Sequence, residues 1–149
     1  MKLETERLEI IPCTQGSAQI AVEQSYDNGP QISMSLEMLK ADATSLGWGT
    51  WLVVEKRNGK VIGDIGFKGK PDADNQVEVG YGFLKEHWNK GYATEAVGAI
   101  MQWAFATGLV EVIIAETLLD NYGSMRVLEK LDMKKVETSE EMVNWKLVK

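Results

Sequence analysis

The chain has 149 residues, of which 44% are hydrophobic and 26% are charged. This size and composition predict one folded domain over residues 1–149 and argue against disordered, fibrous and membrane-spanning classes. A formal net charge of −6 disfavours nucleic-acid binding, and the lone Cys13 excludes both an internal disulfide and a cysteine-rich zinc site. We therefore expect a cytoplasmic protein without a metal ion.

The first half of the chain predicts a strand, two helices and a hairpin. Alternation of apolar and charged residues predicts a strand over residues 3–11, and helical patterns follow at 14–26 and 33–46. The pair Asn58-Gly59 suits a tight hairpin turn with positive φ between two β-rich runs. The second helix has a predicted apolar stripe of Met34, Met38 and Leu39.

A strand in the middle of the chain has two unlike faces. In QVEVGYGFL, one face carries the apolar side chains, and the other carries Glu78 and two glycines. A hydrophobic face beside a polar, small-residue face is typical of a half-buried strand. The apolar face consists of Val77, Val79, Tyr81 and Phe83.

The second half of the chain alternates helices and strands. Helical spacing predicts a helix over residues 94–107 that ends at Gly108, followed by the apolar strand VEVIIAETL and a second helix in DNYGSMRVLEKL. Strands are predicted at 134–137 and 141–148. The order β-α-α-β-β-β-α-β-α-β-β indicates a mixed α/β fold around one central sheet.

The stretch HWNKGYATEA joins the two-faced strand to the first of these helices. Amides at a helix N-terminus lack intrahelical acceptors, and the helix dipole adds positive potential there. Small residues at Gly91 and Ala93, an Asn89 that tolerates a left-handed conformation, and the cation of Lys90 would together cradle a pyrophosphate. An ordinary strand-to-helix turn is the alternative interpretation.

Several segments resemble the GNAT superfamily of N-acetyltransferases. EVGYGFLKEHWNKGYATEA is similar to its acyl-CoA-binding motif, a strand followed by [Q/R]-x-x-G-x-[G/A] at the start of a helix. LLDNYGSMRVLEKLDMKKV is similar to a segment, N-x-x-S-x-x-V-L-E-K-L-G-F, of the branch that acetylates ribosomal-protein N-termini. The hairpin segment KVIGDIGF and the opening ETERLEIIPCT also resemble that branch.

This resemblance implies a mostly antiparallel sheet flanked by helices, and acetyl transfer from acetyl-CoA to an amine. It implies that Tyr81, Gly82 and Phe83 pair with the pantetheine arm through backbone groups, and that an amide near Phe83 or Leu84 stabilises the oxyanion. The turn in HWNKGYATEA would bind the pyrophosphate. The remaining implied cofactor contacts are Trp88, Asn89, Lys90, Gly91, Tyr92, Ala93, Thr94, Asn121 and Ser124.

Two residues are candidates for catalysis. Glu78 would act as general base because it lies on the glycine-bearing face of its strand, although a solvated carboxylate is an equal alternative. The resemblance makes Ser124 the candidate for protonating the departing thiolate; it could instead satisfy backbone amides in the first helical turn. Asn121 is likewise a candidate both for the helix N-cap and for a CoA contact. Leu128 stands where many members carry a tyrosine acid, which argues against tyrosine-assisted catalysis.

The amine acceptor is not specified by the sequence. Residues 27–38 are expected to wall the acceptor side, where Asp27 and Glu37 would attract a cationic peptide N-terminus, a polyamine or an aminoglycoside equally well. We expect a monomer or homodimer. A non-catalytic acyl-CoA-binding module and an unrelated nucleotide-binding domain are the alternative functions.

Overall fold

The computed structural model describes residues 1–149 as one eight-stranded sheet with four helices. Its strands are β1 Leu3–Glu4, β2 Leu8–Pro12, β3 Thr50–Glu55, β4 Val61–Phe67, β5 Gln76–Phe83, β6 Val112–Leu118, β7 Lys134–Thr138 and β8 Met142–Val148. Its helices are α1 Gln15–Glu23, α2 Gln31–Ala41, α3 Tyr92–Ala106 and α4 Tyr122–Lys130. The predicted fold class is confirmed, with one additional short strand at the start.

The strand order is β1-β2-β3-β4-β5-β6-β8-β7, and every neighbouring pair except β5–β6 is antiparallel. The parallel ladder runs only from Gln76–Val112 to Glu78–Ile114. Because parallel strands need a long crossover, α3 lies between β5 and β6 in sequence. Beyond Glu78 and Ile114, β5 and β6 continue without pairing to each other, which leaves a split in the sheet.

The two faces of the sheet are covered by different helices. The larger apolar cluster joins one face to α3 and α4, and includes Val97, Ile100, Met101 and Ala104 as predicted. A smaller cluster, containing Cys13, Ala21 and Leu52, lies under α1 on the opposite face. None of the four helices combines the length and apolar character that crossing a membrane would require.

The prediction of a single first strand over residues 3–11 is wrong. The chain reverses at residues 5–7, so that β1 and β2 form a hairpin with Leu3 opposite Ile10. Thr5 stabilises this reversal, since its amide donates to the Leu8 carbonyl at 2.9 Å and its Oγ1 accepts from the Leu8 amide at 3.1 Å. The reversal brings Arg7 against the N-terminal end of α3.

The predicted apolar stripe of α2 is also wrong at one position. Met34 is 65% exposed, whereas Ser35 is buried and accepts a hydrogen bond from the Thr50 amide at 2.9 Å through its Oγ. Ser35 packs so closely on Gly49 that a Cβ on this glycine would lie 2.4 Å from the Ser35 Oγ. The helix therefore packs through a small polar residue that hydrophobic periodicity does not detect.

The β3–β4 hairpin forms where it was predicted, but not through a two-residue turn. Of the pair Asn58-Gly59, only Gly59 has positive φ, at 70°. The connection spans residues 56–60 and is closed by a 2.9 Å bond from the Gly59 amide to the Glu55 carbonyl. The Asn58 side chain donates to Glu55 Oε1 at 2.8 Å, which holds the longer loop together.

The cross-strand glycine pair Gly66–Gly80 provides a test of this packing. A Cβ on Gly66 would lie 2.2 Å from the backbone oxygen of Gly49, whereas a Cβ on Gly80 would meet only the Lys68 side chain, at 3.8 Å. We expect Gly66→Ala to lower the free energy of unfolding by about 2 kcal/mol or more, and Gly80→Ala to change it by less than about 0.5 kcal/mol. Urea denaturation of both variants measures this, and equal losses would contradict it.

Candidate active site

The backbone of β5 presents free hydrogen-bonding groups to the split in the sheet. The Glu78 carbonyl accepts from Lys68 and the Leu84 amide donates to Ile62, each at 3.0 Å. Backbone groups alternate in direction along an antiparallel strand, so the even-numbered residues between them, including Gly82, face β4. The backbones of Tyr81 and Phe83 therefore face the split, where β6 provides no partner.

This alternation of backbone direction decides which amides of β5 can stabilise an oxyanion and how Gly82 can contribute to binding. The Leu84 amide is already bonded to β4 and cannot stabilise an oxyanion, which leaves the amides of Tyr81 and Phe83 for that role. Gly82 can contribute only through its missing side chain, since its own N–H and C=O are directed to β4.

A cavity of about 230 Å³ lies where β5 and β6 part. Glu78 on β5 and Glu116 on β6 both line it, and Lys68 Nζ binds Glu78 Oε2 at 2.5 Å. The cavity thus carries two carboxylates and one ammonium group. Its complete lining is Lys68, Glu78, Val79, Gly80, Tyr81, Glu116, Thr117, Leu118, Asn121, Ser124 and Met142.

The start of α4 closes one end of this cavity. Asn121 is the N-cap, and its Oδ1 accepts from the Ser124 amide at 3.2 Å, so its capping role is confirmed. Ser124 itself does not cap the helix, because its amide is the donor to the Asn121 cap. Its carbonyl accepts from the Tyr81 hydroxyl at 3.1 Å, and its own hydroxyl has no partner within the protein. A free hydroxyl is therefore available to a ligand in the cavity.

The turn before α3 has the conformation that an anion site needs. Asn89 and Gly91 adopt left-handed φ values of 60° and 81°, and Gly91 is the helix N-cap without any side-chain hydrogen bond. The backbone amides of residues 89–94 have no acceptor within the protein. The exposed Lys90 adds a cation beside them. These groups fit a pyrophosphate, because a helix N-terminus combines free donors with positive potential.

Trp88 connects the turn to the split. Its indole Nε1 donates to the Phe83 carbonyl at 2.8 Å, although the ring is still 55% exposed. Among the predicted pantetheine contacts, the Phe83 carbonyl is thus occupied by the protein itself. The cavity joins β5 to the start of α4, and the Trp88 bond places the start of the turn beside the end of β5.

Comparisons with known proteins agree with this geometry. The profile described as Acetyltransferase (GNAT) domain matches residues 14–134. The chain belongs to the GNAT acetyltransferase family.

Relatives and solved structures support the same assignment. The uncharacterized N-acetyltransferase YjdG of Bacillus subtilis is 35% identical over 109 residues, which cover 73% of this chain and 65% of YjdG, slightly under two thirds. The uncharacterized N-acetyltransferase YoaA of the same organism is 28% identical, with 89% and 82% of the two chains covered. A ribosomal-protein-S5-alanine acetyltransferase from Vibrio fischeri has the same fold, with a TM-score of 0.79, 17% identity and coverage of 99% and 96%.

In this GNAT domain, a buried polar cluster joins the α1–α2 connection to the sheet beside Gly82. Asp64 on β4 is 4% exposed, and it accepts a 2.6 Å hydrogen bond from the Tyr26 hydroxyl. Gln31 Nε2 lies 3.5 Å from its other oxygen, and the Asn28 side chain lies over Gly82. Burial raises the pKa of Asp64, against the opposing effect of these hydrogen bonds. The cluster lies where the Asn28 side chain covers Gly82 of β5.

The sequence interpretation missed four polar residues around the GNAT cleft: Lys68, Glu116, Asp64 and Arg7. Asp64 had a detectable signal, because a carboxylate inside the apolar run VIGDIGF requires a buried partner. Lys68 had none, since its contact with Glu78 depends on the β4–β5 register. The two acids that were predicted on the acceptor side are both exposed, and Asp27 Oδ1 accepts from the Gly29 amide within its own loop.

Replacing Asp64 tests whether burial penalises its charge. A carboxyl group whose pKa is raised on folding lowers stability once the pH exceeds its unfolded value of about 3.9. Relative to wild type, Asp64→Asn should therefore gain stability between about pH 3 and pH 7. Thermal unfolding across this range measures the difference. Asp74→Asn, at an exposed carboxylate without hydrogen bonds, is the control, and parallel profiles for all three proteins would contradict the prediction.

Proposed function

We propose that the chain transfers an acetyl group from acetyl-CoA to a primary amine in the cytoplasm, by direct attack of the amine on the thioester. The observation that carries this proposal is a set of free backbone donors on two successive segments. They are the uncapped amides of residues 89–94 and, at the split, the amides of Phe83 and Tyr81 beside the cavity that contains Glu78 and Ser124.

The turn and β5 are suited to bind the two parts of CoA. Free amides from Asn89 to Thr94, with Lys90 beside them, match the charge and the hydrogen-bonding needs of a pyrophosphate. The backbones of Tyr81 and Phe83 can pair with the amides of a pantetheine arm as a further strand would. This positive local field counteracts the net charge of −6, which otherwise repels an anionic cosubstrate.

The donors beside the cavity are suited to the thioester. An amide of Tyr81 or Phe83 would stabilise negative charge on the thioester oxygen in the transition state. The Ser124 hydroxyl, which lacks a protein partner, would donate a proton or hydrogen bond to the departing thiolate. Leu128 is fully buried in the core, so α4 provides no acid at the position of the family's tyrosine. Burial raises the pKa of Tyr81 to about 12, and its hydroxyl is engaged by the Ser124 carbonyl.

The carboxylates of the cavity favour a cationic acceptor. Glu78 would remove the amine proton, directly or through a water molecule, while Glu116 on the facing strand adds negative charge. An α-amine with a pKa of about 8 is about one tenth neutral at pH 7, whereas a lysine amine at about 10.4 is neutral in about 4 molecules per 10,000. A single weak base therefore suffices for a peptide N-terminus. The names of the solved ribosomal-protein acetyltransferases of this fold support the same acceptor class.

A thiol-release assay tests the function directly. The purified protein is incubated with acetyl-CoA and, separately, with peptide α-amines, lysine peptides, polyamines and aminoglycosides. We expect CoA release with amines and a preference for α-amines over lysine side chains, because more of the α-amine is neutral. Tight CoA binding by calorimetry without release on any amine would instead indicate a non-catalytic binding module. Absence of CoA binding would overturn the proposal.

Two substitutions separate the proposed catalytic roles. Glu78→Gln should lower kcat/KM for the amine by about 100-fold, as loss of a general base does. Ser124→Ala should lower kcat by about tenfold with little change in KM for acetyl-CoA, since it removes a group that acts on the leaving thiolate. Glu111→Gln, an exposed carboxylate outside the cavity, is the control. An unchanged rate of Glu78→Gln from pH 6 to 9 would exclude Glu78.

A further inference from the structure

Arg7 in the β1–β2 reversal contacts the turn of residues 88–91 that precedes α3. Its Nη1 donates to the Lys90 carbonyl at 2.9 Å, and its Nε binds Glu95 Oε1 at 2.8 Å. The guanidinium carbon lies 4.2 Å from the centroid of the Tyr92 ring. One side chain from the β1–β2 reversal therefore contacts the turn, the first residue of α3 and the first turn of that helix.

Glu95 anchors this arrangement from within α3. Its Oε2 accepts from the Thr5 hydroxyl at 2.5 Å and from the Arg7 amide at 2.9 Å, while Oε1 accepts from the guanidinium. Burial acts to raise the pKa of Glu95, but the hydrogen bonds from Thr5 and Arg7 outweigh it and hold the pKa below its usual value. Glu95 is thus ionised at neutral pH, and the guanidinium position is fixed by a charge-assisted bond.

The bond to Lys90 determines where the next amide points. In a planar trans peptide the C=O and the following N–H point in opposite directions. Because Arg7 holds the Lys90 carbonyl on its own side, the Gly91 amide points away from Arg7, and it has no acceptor within the protein. Gly91 sits at a φ of 81° and, as glycine, also tolerates negative φ. Without Arg7, this peptide would be free to reverse and present its carbonyl to an anion.

We propose that Arg7 is a positioning residue for acetyl-CoA, which fixes the Lys90–Gly91 peptide with its N–H toward the pyrophosphate. This inference rests on the proposed binding of CoA at the turn. It makes the role of Arg7 specific to the pyrophosphate, because in the proposed binding mode the acetyl, cysteamine and pantothenate parts of the cosubstrate would contact β5 and the cavity instead. Its Nε and Nη1 are engaged by protein acceptors, and it is through the Nη1 bond that Arg7 acts on the backbone of the turn.

The test compares two thioesters that differ in the pyrophosphate. For Arg7→Met, KM for acetyl-CoA should rise about tenfold, as expected for loss of one charged hydrogen bond that pre-organises a site, with kcat at saturation within about twofold of wild type. The kcat/KM for acetyl-pantetheine, which has no pyrophosphate, should not change. Arg7→Lys keeps the charge but cannot contact Glu95 and Lys90 together, so it should show the same pattern.

Lys56→Met is the matched control, because Lys56 Nζ donates to the Thr5 carbonyl in the same reversal at 2.6 Å without touching the turn. Circular dichroism on heating establishes that each variant is folded at the assay temperature. An unchanged KM for acetyl-CoA in both Arg7 variants would overturn the inference. An equal loss with acetyl-pantetheine would also overturn it, since Arg7 would then support the whole fold. If wild type binds no CoA at all, the proposed function fails, and the inference fails with it.

Discussion

Three residue pairs join β5 to β6, and the arrangement of the cleft depends on how short this ladder is. A parallel pair leaves no tight turn available, so the chain crosses over through α3, and the start of α3 is thereby placed beside the end of β5. Where pairing stops after Glu78, the backbone groups of Tyr81 and Phe83 lose their natural partners. Unpaired backbone donors and acceptors are costly when buried, and a ligand that completes them as an additional strand gains affinity from the same groups.

Around the split, the two sides of the sheet differ in how tightly they are packed and in the charge they carry. On the side of α3 and α4, apolar packing holds Tyr81 and Leu128 firmly, and the Tyr81 hydroxyl reaches the backbone of α4. On the opposite side, Asn28 lies over Gly82, while the space beside Gly80 is open apart from the Lys68 side chain; Glu78 and Glu116 line the cavity where the strands part. A rigid side that positions one substrate and a more open, charged side that admits another is an arrangement suited to a reaction in which two substrates meet within the sheet.

The sequence predicts well the features that arise from local periodicity. The buried face of α3, the two unlike faces of β5 and the left-handed Asn89 all follow from spacing and intrinsic conformational preference, and the structure confirms each. Features that depend on residues distant in the chain were not predictable. Arg7 and Glu95 are separated by 88 positions. The local pattern around Arg7 therefore predicts one continuous strand and gives no sign of the reversal that this pair stabilises. Met34 was misassigned for a related reason: the inward residue of α2 is Ser35, whose contacts with Thr50 and Gly49 lie on a segment distant in the chain.

Trp88 leaves the cleft with more free backbone hydrogen-bond donors than acceptors. Because its indole N–H occupies the Phe83 carbonyl, the strand offers two N–H groups at Tyr81 and Phe83 against the single open carbonyl of Tyr81. The amides of residues 89–94, which also lack acceptors within the protein, add to this excess of donors. A molecule rich in carbonyl and phosphoryl oxygens can satisfy these donors, whereas one rich in N–H groups would leave them unpaired and pay their desolvation. The surplus of donors thus selects among ligands of similar shape before any side chain of the cavity is reached.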